Sequence, residues 1–242
     1  EKWDLSLRPD NIPAWNEVKN PEKRDELDHL MALYSAMIDR VDQNLARIID
    51  RLERTGSLDN TLILFLSDNG ACAEGKVLGS YETHPPGSRT GYGQPAYGDC
   101  WAHASNTPFR RYKHYMHEGG ISSPLIAFWP QGIRPRLNGR ILHHYGYLPD
   151  IMATFIDVGR ADYPLQVSGH DILPLEGKSL RPYFRGWEMP IHDEPICWEH
   201  EHNAAVRHGK WKLVRLKKNK WELYDLENDR TETRDLAGDY PE

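Results

Sequence analysis

The chain has 242 residues, of which 39% are hydrophobic and 27% charged, with a net charge of −6 and a pI near 6.1. That is the make-up of an ordinary globular protein with room for one domain or one and a half. The acidic balance argues against nucleic acid as a main partner, since phosphate backbones attract a basic surface. No apolar run approaches the ~20 residues that cross a bilayer.

Residues 1–24 are punctuated by Pro9, Pro13 and Pro21 and show no period. From Asp25 to Arg54 apolar residues recur at three- and four-residue steps (Leu27, Leu30, Met31, Tyr34, Met37, Ile38, Val41, Leu45, Ile48, Ile49, Leu52). They form the stripe of a long amphipathic helix. Gly56 follows, where a left-handed cap takes a residue without Cβ. After the Asp59-Asn60 turn, Thr61–Leu66 reads as a strand. Its uninterrupted apolar run predicts burial on both faces, and helix, loop, buried strand predicts a parallel sheet in this region.

Residues 72–108 read as a long loop rich in Gly, Pro, Ser and Tyr, and loops of that length are usually functional. Its aromatic part, 76–104, is expected to help select a ligand. Ser123–Trp129 predicts a second buried strand, and Leu148–Val158 a helix with Pro149 in its first turn. From Ile196 on, the runs ICWEHE, AAVRHG, KWKLVRLK and KWELYDL predict a small antiparallel sheet. Cys72, Cys100 and Cys197 are odd in number and contain no Cys-x-x-Cys pair, so no disulfide framework is expected.

Thr61–Leu66 runs straight into Ser67-Asp68-Asn69-Gly70. In open α/β sheets ligands sit at the carboxyl ends of strands. A carboxylate beside a carboxamide there offers oxygen donors to a hard cation such as Ca²⁺ or Mg²⁺. The same tripeptide is also ordinary turn chemistry. In the segment 106–130, Arg110 and Lys113 bring positive charge, Glu118 negative, and Gly119-Gly120 a flexible backbone before the second strand. Lys113 suits an anionic group as a compact point charge, and His114 and His117 flank it with protons mobile near neutral pH. Solvated loop charges are the plainer reading of the same residues.

Two long segments, MALYSAMIDRVDQNLARIIDRLERTGSLDNTLILFLSDNG and SNTPFRRYKHYMHEGGISSPLIAFWP, resemble the type I sulfatases of the alkaline-phosphatase-like superfamily. So do EGKSLRPYF, WEHEHNAAVRHGKWKLV and KWELYDLENDRTETRDLA, in the family's own order. The resemblance implies an α/β fold: the C-terminal part of a mixed or parallel sheet flanked by helices over residues 1–185, plus a small antiparallel subdomain over 186–242. It implies hydrolysis of sulfate monoesters, with Asp68 and Asn69 as half of a Ca²⁺ (or Mg²⁺) ligand set. Lys113, five residues before Glu118-Gly119-Gly120, matches the family's sulfate-contacting lysine. His200 resembles a histidine at the pocket rim, and His117 is taken as a further substrate contact.

The departures are as informative. The family's nucleophile is a formylglycine made in a Cys/Ser-x-Pro/Ala-x-Arg pattern. The cysteines here read CAEGK, CWAHA and CWEHE, and near Ser122 the arginine position is Ile126. The early Asp-Asp metal ligands and the upstream substrate histidine have no counterpart either. The chain is therefore read as the C-terminal half of such an enzyme. That half is expected to be inactive and to bind Ca²⁺ poorly without the other half, its intramolecular partner. A sulfate ester or sulfated glycan is the expected substrate, and a periplasmic or secreted location follows from the resemblance alone. Two readings stay open: a phosphodiesterase or phosphonate hydrolase of the same superfamily, and a non-catalytic binding module on this fold. DLENDRTETRD loosely echoes a Ca²⁺ loop, but Arg230 stands where that loop needs glycine.

Overall fold

The computed structural model describes residues 8–80 and 95–240. Helix α1 (Pro21–Arg54) opens on Pro21, whose fixed φ suits a first helical position. It ends before Gly56, which takes the expected left-handed φ of +66°. Its apolar stripe splits: Leu27 and Leu30 are buried, whereas Met37, Ile38, Val41, Ile48 and Ile49 face solvent.

Strands β1 (Ile63–Leu66) and β2 (Leu125–Phe128) pair, but antiparallel, with Leu66 opposite Leu125 and Ile63 opposite Phe128. The parallel pairing expected here is not present among the described residues. An apolar run encodes burial, not strand direction, and the chain after β1 doubles back. Ser123 Oγ returns to donate to the carbonyl of Asn69 at 3.3 Å, so β2 starts where β1 ended. The expected burial on both faces is also absent: Phe65, Leu125, Ile126 and Phe128 are exposed. No further strand joins this pair among the described residues.

Inside the stretch read as a loop lies an eight-residue helix, α2 (Gly98–Ser105). It is anchored by Trp101, whose indole N–H donates to the Leu27 carbonyl at 2.8 Å. Gly98, at φ +74°, sets the sharp entry. The remainder of the aromatic loop expected to help select a ligand, residues 81–94, lies outside the described residues. The turn α3 (Glu118–Ile121) precedes β2, and α4 (Pro149–Gly159) follows it. β3 (Gln166–Val167) and β4 (His170–Asp171) form a short hairpin, and α5 (Arg181–Phe184) is one turn.

The predicted antiparallel sheet is present as β5 (Ile196–His200), β6 (Asn203–His208), β7 (Trp211–Arg215) and β8 (Glu222–Asp225), in sequential order. Ala205, Val214 and Tyr224 project from its inner face onto Met116 and Leu226. Lys212 lies on that face too, two residues from Val214 and fully buried.

The chain divides into two compact units. One comprises the described residues of Glu1–Ile48, Ser67–Pro124 and Pro195–Glu242, and it holds every residue of the candidate site. The other comprises Ile49–Leu66 and Leu125–Glu194, with a core of Leu180, Tyr183 and Phe184 under Leu62, Leu64 and Ala127. In the second unit the buried carboxylate of Asp150 accepts from the Tyr147 and Lys178 backbone amides and meets His192 Nε2 at 2.7 Å. The three cysteines are free. No helix among the described residues is long and apolar enough to cross a membrane.

Candidate functional site

Immediately after β1 the chain turns, with Ser67 Oγ donating to the Asn69 carbonyl at 2.8 Å. Asp68 is exposed at this turn and Asn69 half-buried. The next amide, of Gly70, donates to the Gly120 carbonyl at 2.8 Å. A Cβ on Gly70 would overlap the Gly119 carbonyl, so only glycine allows the two backbones to meet this closely. One residue on, the Ala71 amide donates to Asn106 Oδ1, and Asn106 Nδ2 donates to the Arg111 carbonyl, both at 3.1 Å. The Lys113 amide then donates to the Ala71 carbonyl at 3.0 Å. These bonds lay the Lys113 segment alongside the Asp68-Asn69 turn, although 44 positions separate Asn69 from Lys113 in sequence.

His114 carries this segment onward with φ +82°, and its Nδ1 lies 3.2 Å from His200 Nε2. Its carbonyl accepts from Asn203 Nδ2 at 3.0 Å. His200 closes β5 and is exposed. The structure thus brings Asp68, Asn69 and Lys113 onto neighbouring backbone and ties His200 to the residue after Lys113.

His117 goes elsewhere. It is 1% exposed, and its Nε2 meets Glu222 Oε2 at 3.2 Å. Burial holds the imidazole neutral, pushing its pKa down to about 4 despite Glu222. A ring sealed in this way presents no surface to a substrate, so the expectation for His117 as a contact is not met. Sequence reasoning placed it by its nearness to Lys113, but the side chain turns inward.

Beneath the site lies an ionic cluster that sequence reasoning missed. Lys212 Nζ sits 2.8 Å from both Glu118 Oε1 and Glu232 Oε1, and the Glu118 amide donates to Glu232 Oε2 at 2.9 Å. Arg230 Nη2 donates to Ser122 Oγ at 2.8 Å. Burial alone would raise Glu118, but the Lys212 ammonium outweighs it and holds the carboxyl at about 2. With one ammonium between two carboxylates, burial wins at Glu232 and pushes it up to about 7. Beside this cluster Arg110 Nη1 donates to Glu222 Oε2 at 2.6 Å and to Tyr224 Oη at 2.8 Å. The signal was available: a lysine at an inward position of an alternating strand, in KWKLV, needs a buried acid.

Asp68 and Asn69 supply oxygen donors of the kind Ca²⁺ or Mg²⁺ takes, so the donor chemistry fits a hard cation. They are two side chains where a Ca²⁺ site uses six to eight oxygens. In DLENDRTETRD the carboxylate of Asp229 is occupied by the Thr233 and Arg234 amides, as a loop cap and not a cation ligand.

The sulfatase family profile matches residues 8–159. The chain belongs to the sulfatase family. A second profile, for the C-terminal region of N-sulphoglucosamine sulphohydrolase, matches residues 110–241. Among curated relatives, an uncharacterized sulfatase of Schizosaccharomyces pombe is 33% identical across 89% of this chain and 42% of its own length. The arylsulfatase of Klebsiella aerogenes is 30% identical across 68% of this chain and 37% of its own. Among solved structures, Ps i-CgsB in complex with k-i-k-neocarrahexaose superposes with a TM-score of 0.64 at 25% identity, over 93% of this chain and 41% of that one. The sulfatase chain here thus spans about two fifths of the length of these relatives. The superposition also fixes its class as mixed α/β of the alkaline-phosphatase-like kind.

Proposed function

We propose that the protein to which this chain contributes hydrolyses sulfate monoesters, with a sulfated glycan as the first class to test. The observation that carries the reading is the pair of backbone bonds, Gly70 to Gly120 and Lys113 to Ala71, that lay the backbone of Lys113 alongside the segment that follows the Asp-Asn turn. Family membership, the N-sulphoglucosamine sulphohydrolase C-terminal profile and the k-i-k-neocarrahexaose bound by Ps i-CgsB support the sulfated-sugar assignment.

In this reading Lys113 holds an anionic oxygen of the transferring sulfuryl group, and its anchored backbone keeps the charge in place before substrate arrives. Asp68 and Asn69 hold Ca²⁺ or Mg²⁺, which when bound supplies positive charge to the same oxygens. His200, at the rim, contacts the alcohol portion of the substrate. No Cys or Ser in this chain begins the Cys/Ser-x-Pro/Ala-x-Arg pattern, so the formylglycine nucleophile is assigned to residues outside these 242. A periplasmic or extracellular site of action accompanies the proposal.

The test is K113A and K113R in the full-length protein, assayed on an aryl sulfate and a sulfated oligosaccharide. Removing one preorganised charge should lower kcat by about 10²–10³, with K113R recovering only part because its fork does not replace a point charge. A loss under about twofold in K113A would remove Lys113 from the chemistry. Faster turnover of an aryl phosphodiester than of the sulfate would select the phosphodiesterase reading. Inertness of the wild-type protein toward every ester would select the binding module.

A further inference from the structure

Beyond the oxygen-donor turn, the described residues contain a second group suited to a metal, of different chemistry. His114, His200 and Glu201 each offer one ligating atom, all within 4.8 Å of one another. The His114 Nδ1 to His200 Nε2 separation is 3.2 Å, and His114 Nδ1 to Glu201 Oε2 is 3.7 Å. Around a tetrahedral Zn²⁺ with bonds of 2.0–2.1 Å, neighbouring ligand atoms stand about 3.3 Å apart. The two nitrogens already have that spacing. We propose that His114, His200 and Glu201 form a three-ligand site for a borderline divalent cation, Zn²⁺ first, with the fourth position open. The site takes His200 as a metal ligand in place of the substrate contact assigned to it above, and because its test reads metal uptake and not turnover, it can fail or hold apart from the sulfate-ester reading.

Several observations favour a cation over a bare hydrogen-bonded pair. Two imidazoles facing nitrogen to nitrogen share at most one proton between them, and a divalent ion replaces that proton while drawing in the carboxylate as well. The ligands are also held in place from both sides. His200 and Asn203 close the β5–β6 hairpin, and the two residues between them, Glu201 and His202, have φ of +51° and +68°. That is the geometry of a tight I′ turn, which glycine or asparagine adopts more readily. Buried Asn203 then bonds the His114 carbonyl, clamping the hairpin to the left-handed turn at His114. Two of the three ligands, His114 and Glu201, thus sit in left-handed backbone, and the third, His200, is the strand residue that closes the hairpin. His114 and Glu201 also line a small cavity of about 240 Å³, so an ion there would have an approach path for its fourth ligand. Two imidazoles with one carboxylate suit Zn²⁺, Co²⁺ or Ni²⁺, whereas Ca²⁺ and Mg²⁺ prefer oxygen.

The experiment titrates Zn²⁺, and separately Co²⁺, into the full-length protein held in excess Ca²⁺. Wild type should take up one Zn²⁺ more than H200A and develop a Co²⁺ visible absorption band that H200A lacks. E201Q should keep the stoichiometry with about tenfold weaker binding. H114N, whose asparagine tolerates the left-handed backbone, should lose the band while far-UV circular dichroism stays unchanged. Equal Zn²⁺ uptake by wild type and H200A, a Co²⁺ band surviving in both histidine variants, or displacement of Zn²⁺ by the excess Ca²⁺ would each overturn the assignment.

Discussion

At the residue scale the buried cluster makes a pH prediction whose sign differs from one group to the next. His117, held at about 4 by burial against 6.5 for a free imidazole, contributes stability that is present above pH 6.5. That stability is lost as pH falls through 4, because acid must charge a sealed ring. Glu232, raised by burial to about 7 against 4.5, runs the other way. Its contribution is complete below pH 4.5 and is lost as pH rises through 7. Between pH 4.5 and 6.5 the two oppose each other, so the wild-type unfolding temperature should stay nearly flat. E232Q keeps an acceptor for the Glu118 amide but removes the titration. Its unfolding temperature should fall steadily on acidification from pH 6.5, measured across pH 4–8. Parallel curves for wild type and E232Q would mean that Glu232 ionises like an exposed glutamate.

At the scale of elements, the turn that carries Lys113 depends on close backbone contact. The sequence reads Gly119-Gly120 as flexibility, but the structure shows confinement: a Cβ on Gly120 would overlap the Tyr115 carbonyl, and one on Gly119 the Arg111 carbonyl. G120A should therefore lower stability by about 2 kcal/mol or more, as overpacking against backbone does, and lower kcat with it by shifting Lys113. G159A, in the last turn of α4 with open space around it, should be neutral or slightly stabilising. Urea midpoints of the two variants decide this, and equal midpoints would refute the packing argument. The same contrast shows what the sequence reveals. Periodicity located α1, α4 and the β5–β8 meander within a few residues, because burial imprints a period of 3.6 or 2 on the side chains. Asp68 and Asn69 were legible as a turn at the end of β1, where the structure places them, with the Lys113 backbone bonded to Ala71 close by. The antiparallel direction of β2, the inward turn of His117 and the Glu118–Lys212–Glu232 cluster were not, since each depends on which distant segment lies opposite, and no local pattern records that.

At the scale of the whole molecule, the apolar surface says how this chain relates to the rest of its protein. Phe65 and Ile126 are register partners across β1 and β2, yet Ile126 is 62% exposed and Phe65 45%. Leu125 and Phe128 add to the same two strands, and an apolar ladder joined by no third strand among the described residues is a template for association. The relatives are more than twice as long as the segment they share with this chain, which makes further residues of a longer polypeptide the occupant to test. The two cases make opposite demands on one substitution. In the 242-residue chain produced alone, I126K should act as a gatekeeper, reducing concentration-dependent light scattering and binding of a hydrophobic dye. In the full-length protein the same lysine would sit where apolar contacts are expected and be left without a partner, which should cost a few kcal/mol of stability and most of the soluble yield. If I126K is silent in the full-length protein, the β1–β2 face is a true outer surface and the cover lies elsewhere. An improvement in the short chain together with a loss in the long one can arise only if the rest of the protein packs on these strands.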